Sequence, residues 1–188
     1  MKLGLAEFAA SLREIRAEEF GAAKLNPILA SLDLSPGSVE PYLQWRPGSY
    51  TRNLVCKFPE FEVMVLCWDA GSVSAIHDHS GQQCWFVSHA GRFVVEDFEL
   101  AAGGLRPGHA RVVPTTIDSN VTVGMPDYRA PGANEIHRVS VPAGERAISI
   151  HVYAKPLSHC LVFDESNQRC IDRALEYDNV PRERILIA

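Results

Sequence analysis

The chain has 188 residues, 46% of them hydrophobic and 22% charged, with a formal net charge of −5. That length suits one domain able to bury a core without disulfides. The acidic balance, with no Lys/Arg run, argues against nucleic acid or an anionic membrane surface as a partner.

In chain order, residues 1 to about 33 carry a helical signal. Leu3, Leu5, Phe8, Leu12, Ile15 and Phe20 recur near helical spacing, and Asn26-Pro27 is expected to break the chain before a short apolar segment, Ile28 to Leu32. Residues 1–45 are therefore expected to form a helical N-terminal extension that caps a core. From Tyr50 the pattern changes to short runs bounded by Gly, Pro, Asp or Asn. The predicted strands are Thr51–Cys56, Phe61–Trp68, Ser74–His79, Cys84–Ala90, Arg92–Leu100, Ala110–Pro114, Asn120–Val123, Ile136–Val141 and Arg146–Ala154. Their number and spacing predict an all-β fold, an antiparallel sandwich or barrel. The expected organisation is a single domain over 1–188, with the β-barrel core at 50–156 and residues 157–188 wrapping it from outside. No apolar stretch has the length of a membrane span or forms a signal core. Cys56, Cys67, Cys84, Cys160 and Cys170 are odd in number and lack a CxxC pair, so free thiols in a reducing cytoplasm are expected.

His77 and His79 carry the sharpest chemical signal. In an extended strand, side chains at i and i+2 leave one face, so the two can converge on a metal while Asp78 points away. Gly71 stands six positions before His77 and Gly91 twelve after His79. This frame resembles the first motif of the cupin β-barrels, except that the usual glutamate is missing and Cys84 stands in its place. A metal in an open site needs a third protein ligand from elsewhere, and His137, in ANEIHRVS, is the candidate. In the strand Arg146–Tyr153, period-two geometry puts Ser149, His151 and Tyr153 on one face and Ile148, Ile150 and Val152 on the other. A polar row of this kind is ordinarily a solvent face, but a metal site inside the barrel would make it a hydrogen-bonding relay. Arg52, in YTRNLV, offers a bidentate fork for a carboxylate if it faces inward. His89, His109 and His159 have no such context and are read as structural or surface residues.

YTRNLV, VMVLCWDAGSVSAIHDHSGQQC, EIHRV, and SIHVY with Cys160 nine residues beyond His151, together resemble the cysteine dioxygenases. The resemblance runs from about Tyr50 to Cys160. It implies a small cupin barrel and an enzyme that adds both atoms of O2 to the thiol of L-cysteine, giving cysteine sulfinic acid. That reaction belongs to cysteine catabolism and sulfur metabolism. Carried over residue by residue, it implies one Fe(II) per chain held by His77, His79 and His137. Arg52, with Tyr50 beside it, would hold the substrate carboxylate, and Ser149, His151 and Tyr153 would form the relay. Three neutral imidazoles leave the iron a net charge of about +2, which favours an anionic thiolate ligand. The Tyr153 hydroxyl would donate to the carboxylate or the oxygen. In mammalian members a cysteine at the Cys84 position forms a thioether with the relay tyrosine. A Cys84–Tyr153 cross-link and a free buried thiol therefore both stay open. The resemblance also implies L-cysteine and O2 as partners and a monomer or small homo-oligomer.

The glycine, proline and asparagine spacing of the second cupin motif is distorted around Pro131-Gly132-Ala133-Asn134-Glu135-Ile136-His137. Rival readings are a dioxygenase of 3-mercaptopropionate or another small thiol, a non-catalytic metal-binding sensor, and a Zn or Mn isomerase or hydrolase. Arg52 argues for cysteine over the first, the open three-ligand site against the second, and the missing carboxylate against the third.

Overall fold

A computed structural model of the chain describes residues 2–124, 126–131 and 135–180. Gly132, Ala133 and Asn134 of the distorted second motif, and residues 181–188 of the expected outer wrap, lie outside the described residues.

Two helices, α1 (Leu5–Arg13) and α2 (Ala22–Leu29), precede the strands. The expected break at Asn26-Pro27 does not occur, because α2 runs through Pro27. Proline removes one backbone donor, and an eight-residue helix docked on a sheet tolerates that loss. Asn26 is used in the docking: its side-chain carbonyl accepts from Trp85 Nε1 at 3.1 Å. Leu5, Phe8 and Leu12 of α1 and Leu25 and Leu29 of α2 are buried against Val63, Val65, Ile150 and Val152 of the sheet below.

The strands are β1 (Tyr50–Lys57), β2 (Phe61–Trp68), β3 (Ile76–His77), β4 (Cys84–Ala90), β5 (Phe93–Gly103), β6 (Gly108–Val121), β7 (Pro126–Arg129), β8 (His137–Ser140), β9 (Ala147–Ala154), β10 (His159–Asp164) and β11 (Arg169–Ala174). They form a five-stranded sheet ordered β1-β2-β9-β4-β7, and a second set, β10-β11-β6-β5-β8-β3, that closes into a ring. The all-β expectation holds. Every residue of β2 is buried because helices cover one face and the second sheet the other. Met64, Leu66 and Trp68 point inward to meet Phe93, Val95, Val139 and Val141.

Several boundaries differ from the sequence reading. The run Ala110–Pro114 and the first two residues of Asn120–Val123 belong to one long strand, β6, and Ser74–His79 contributes only two residues of strand. The largest correction concerns residues after Pro156. Rather than wrapping the barrel from outside, they supply β10 and β11, and β10 pairs with β3 at Val162↔His77 and Phe163↔Ile76. The paired-histidine strand is thereby held from both sides.

Gly91 has a backbone reason to be glycine. Its φ is +76°, and a Cβ there would lie 2.5 Å from the Arg146 carbonyl oxygen and 2.8 Å from Ala147 Cα. The turn leaving β4 passes directly against the start of β9, which carries the polar row. Among the described residues no helix is long and apolar enough to cross a membrane.

Candidate metal centre and substrate cavity

Strand pairing brings the three candidate histidines together. His77 and His137 are direct cross-strand partners between β3 and β8, so their side chains leave the same face. His79 lies just beyond β3, where the extended-strand argument stops applying. A carboxylate orients it instead: Glu135 Oε1 accepts from His79 N–H at 3.0 Å and Gly81 N–H at 2.6 Å. The ring centroids stand 4.7 Å (His77–His137), 4.9 Å (His79–His137) and 5.4 Å (His77–His79) apart. One ligand atom from each lies within 4.8 Å of the others. Asp78 turns away from this cluster and is buried, where Oδ1 accepts from Leu161 N–H at 2.7 Å and anchors β10.

This donor set fits a metal. His77 Nδ1 stands 2.9 Å from the Ala75 carbonyl, which places its proton there and leaves Nε2 as a free lone pair. Burial holds all three imidazoles below their ordinary pKa, keeping them in the neutral form that ligation requires. Geometry alone does not choose among Fe, Zn, Ni or Co for three nitrogens.

The histidines open on a small cavity of about 50 Å³. A single water needs roughly 10–15 Å³ by this measure, so the space suits a molecule of a few heavy atoms. Among the described residues no Asp or Glu lines it, whereas two arginines, Arg52 and Arg173, do. Cys160 lines it too, paired across strands with Arg173.

Arg52 faces inward and is 7% exposed. Its NH1 donates to the Glu176 carbonyl at 3.1 Å and its NH2 to the Leu157 carbonyl at 3.4 Å. Glu62 Oε1, fully buried, stands 3.8 Å from NH2. That carboxylate also accepts from Leu157 N–H at 3.0 Å and from the Tyr177 hydroxyl, while the Tyr177 ring lies 5.4 Å under the guanidinium. Tyr50 stacks on Trp68 at 4.4 Å.

The polar row of β9 is a connected chain. Ser149 Oγ is 2.9 Å from His151 Nε2, and His151 Nδ1 is 3.4 Å from the Tyr153 hydroxyl. Burial lowers the His151 pKa to about 3 and raises that of Tyr153. Cys84 on β4 is the direct cross-strand partner of Tyr153 on β9. Burial raises its thiol pKa, partly offset by a hydrogen bond with Tyr153. His89, His109 and His159 join neither group: His89 is buried on β4, and His109 and His159 are exposed.

Sequence reasoning missed five contributors: Glu62, Trp68, Glu135, Arg173 and Tyr177. Two of them carried a signal. Glu62 and Trp68 have the same parity as Met64 and Leu66, so period two places both on the inward face of β2.

A family model described as cysteine dioxygenase type I matches residues 3–166. The chain is 26% identical over 152 residues to cysteine dioxygenase type 1 of Danio rerio, covering 80% of this chain and 73% of that protein. It is likewise 26% identical over 169 residues to cysteine dioxygenase type 1 of Homo sapiens, covering 86% and 79% respectively. Among solved structures it is similar to TT1209 from Thermus thermophilus at a TM-score of 0.44 and 18% identity, covering 62% of this chain and 93% of that one. It is also similar to KdgF from Halomonas sp. at a TM-score of 0.40 and 18% identity, covering 61% and 86%.

Proposed function

Because the chain belongs to the cysteine dioxygenase type I family, we propose that it oxidises L-cysteine with O2 to cysteine sulfinic acid. The reaction would run at one Fe(II) held by His77, His79 and His137. The observation that carries this reading is the combination of the three-histidine cluster with a buried arginine in a cavity that no acidic side chain lines among the described residues. Bound there, Fe(II) would supply a Lewis-acidic, redox-active position for a thiolate and O2.

The chain's own residues set the rest. Arg52 is anchored by two carbonyl acceptors, which leaves its remaining N–H groups for a substrate carboxylate in a charge-assisted, forked contact. Arg173 adds positive charge to the same cavity, which focuses an anionic ligand on an otherwise acidic protein. Among the described residues no carboxylate lines the cavity to pair a substrate ammonium, which favours the neutral amine there. The Tyr50–Trp68 stack and Leu157 form walls of the cavity and limit water access. The Tyr153 hydroxyl donates to the carboxylate or to the incoming oxygen. All five cysteines are free and buried, which supports a reducing cytoplasm as the compartment.

Oxygen uptake by the Fe(II)-loaded protein tests the assignment across L-cysteine, 3-mercaptopropionate and cysteamine. L-Cysteine is expected to give the highest kcat/KM, and cysteamine at least about 100-fold less, since a ligand lacking the carboxylate forgoes the charge-assisted contact with the N–H groups that Arg52 has left. Equal rates with cysteamine, or no uptake with L-cysteine, would overturn it.

The Cys84↔Tyr153 register also supports a thioether between the two. Joining the Cys84 sulfur to the ring carbon ortho to the Tyr153 hydroxyl removes one hydrogen from each, with O2 as the acceptor of both protons and both electrons. Intact mass is therefore expected to fall by about 2 Da on turnover with L-cysteine, a loss that Cys84→Ala abolishes. An unchanged mass after many turnovers would leave Cys84 as a free buried thiol.

A further inference from the structure

We propose that Trp68 is a positioning residue that fixes the direction of every proton in the Ser149–His151–Tyr153 chain, leaving the Tyr153 O–H free to donate into the cavity. The inference rests on the reading of that cavity as a thiol site.

The argument starts from what each group can do. An indole N–H is a donor and never an acceptor. Trp68 Nε1 donates to Ser149 Oγ at 2.9 Å. Ser149 is fully buried, and its hydroxyl has two hydrogen-bond partners among the described residues, Trp68 Nε1 and His151 Nε2, each at 2.9 Å. A hydroxyl has one proton to give. If Ser149 accepted from both neighbours, that proton would be buried without an acceptor, a loss of about 1–3 kcal/mol. Ser149 therefore donates to His151 Nε2.

That nitrogen must then present its lone pair. Burial keeps His151 neutral across the physiological range, so its single ring proton sits on Nδ1. Nδ1 faces the Tyr153 hydroxyl at 3.4 Å, and the phenol oxygen accepts. The phenolic proton is thus not taken by His151. It can turn to the Cys84 sulfur, a weak acceptor, or to a ligand in the cavity that Tyr153 lines. A carboxylate there is the stronger acceptor.

With no obligate donor at position 68, a water filling the space the indole leaves can accept from Ser149 as readily as donate to it, and the opposite polarity is then equally satisfied. Ser149 would accept from Nε2–H, and Nδ1 would accept from the Tyr153 O–H, withdrawing that proton from the cavity. Trp68 is well placed to decide between the two. It ends β2, two residue pairs from Ser149 along the β2–β9 ladder and so on the same face, and its ring is clamped between Tyr50 at 4.4 Å and Phe93 at 5.8 Å.

The test reads the proton directly. Ring ¹⁵N shifts of His151 would be recorded for the Zn(II)-loaded protein, zinc serving as a diamagnetic ion that three imidazoles accept, in wild type and in Trp68→Phe. The wild type is expected to carry its proton on the nitrogen facing Tyr153, and Trp68→Phe to shift toward the other tautomer. With Fe(II), the same variant is expected to lose about tenfold in kcat for L-cysteine, the value of one hydrogen bond, with KM within about twofold. A wild-type proton on the nitrogen facing Ser149, or an unaltered tautomer in Trp68→Phe, would overturn the proposal. Should Trp68→Phe fail to fold, Ser149→Ala serves instead, with loss of the same tautomer preference expected and its persistence counting against the proposal. A correct tautomer in a protein that oxidises no thiol would sustain the proton assignment and refute the thiol reading.

Discussion

The His137→Ala chain is expected to fold, to bind no stoichiometric metal, and to lose thiol-dependent O2 uptake by at least about 10³-fold. His137 is the candidate ligand that arrives from a separate strand. Without it, the His77/His79 pair is a two-nitrogen site, below the three protein ligands that an open catalytic centre keeps. Folding should survive because the imidazole Nδ1 is buried without a hydrogen-bond partner among the described residues, so its removal deletes a desolvated polar atom along with some packing. Metal analysis after loading and gel filtration should fall from about one ion per chain to near zero. His159→Ala, at an exposed position outside the cluster, should retain both metal and activity. A His137→Ala protein that kept one ion per chain would remove the three-histidine centre from consideration.

The second large effect concerns Arg52→Gln. For a thiol carrying a carboxylate, kcat/KM is expected to fall about 10²–10³-fold, because a charge-assisted fork in a buried site is lost. For cysteamine the change should be small, and the ratio between the two substrates is the decisive measurement. Stability should fall as well. Glu62 is wholly buried, and Arg52 is the cation beside it; removing one partner of such a pair typically costs about 3–5 kcal/mol. At about 2–4 °C per kcal/mol for a chain of this size, the melting temperature should drop by roughly 6–20 °C. Adding Glu62→Gln should recover part of that loss without restoring the carboxylate preference. Unchanged selectivity in the single variant would remove Arg52 from substrate recognition.

These residues differ in how far the sequence exposes them. The histidine pair is local, and the alternation in SIHVY places Ser149, His151 and Tyr153 on one face wherever the strand lies, so both were legible before any fold. His137 became legible only through the need for a third ligand. The inward parity of Glu62 and Trp68 was present in the β2 run but masked by its continuous burial, since helices cover the face that period two would leave to water. Strands β7 and β11 escaped detection for a different reason. PDYR contains two poor strand formers, and β11 buries only Cys170 among six residues, so neither shows an amphipathic period. The acceptors that hold Arg52 are backbone carbonyls of Leu157 and Glu176, and a carbonyl leaves no trace in residue identity.

The segment from Leu175 to Asn179 lies along β1. Asp178 N–H donates to the Arg52 carbonyl at 2.9 Å and Leu54 N–H to the Asn179 carbonyl at 2.9 Å, while Glu176 and Tyr177 complete the surroundings of the Arg52 guanidinium. During synthesis Glu176 is added 124 residues after Arg52, which at ribosomal rates of about 5–20 residues per second is a delay of roughly 6–25 s. All three histidines leave the ribosome before that segment does. A nascent or truncated chain can therefore hold the three-histidine cluster while the proposed carboxylate subsite at Arg52 is still open on one side. The surroundings of the Arg52 guanidinium are thus completed only after all three histidines have been made.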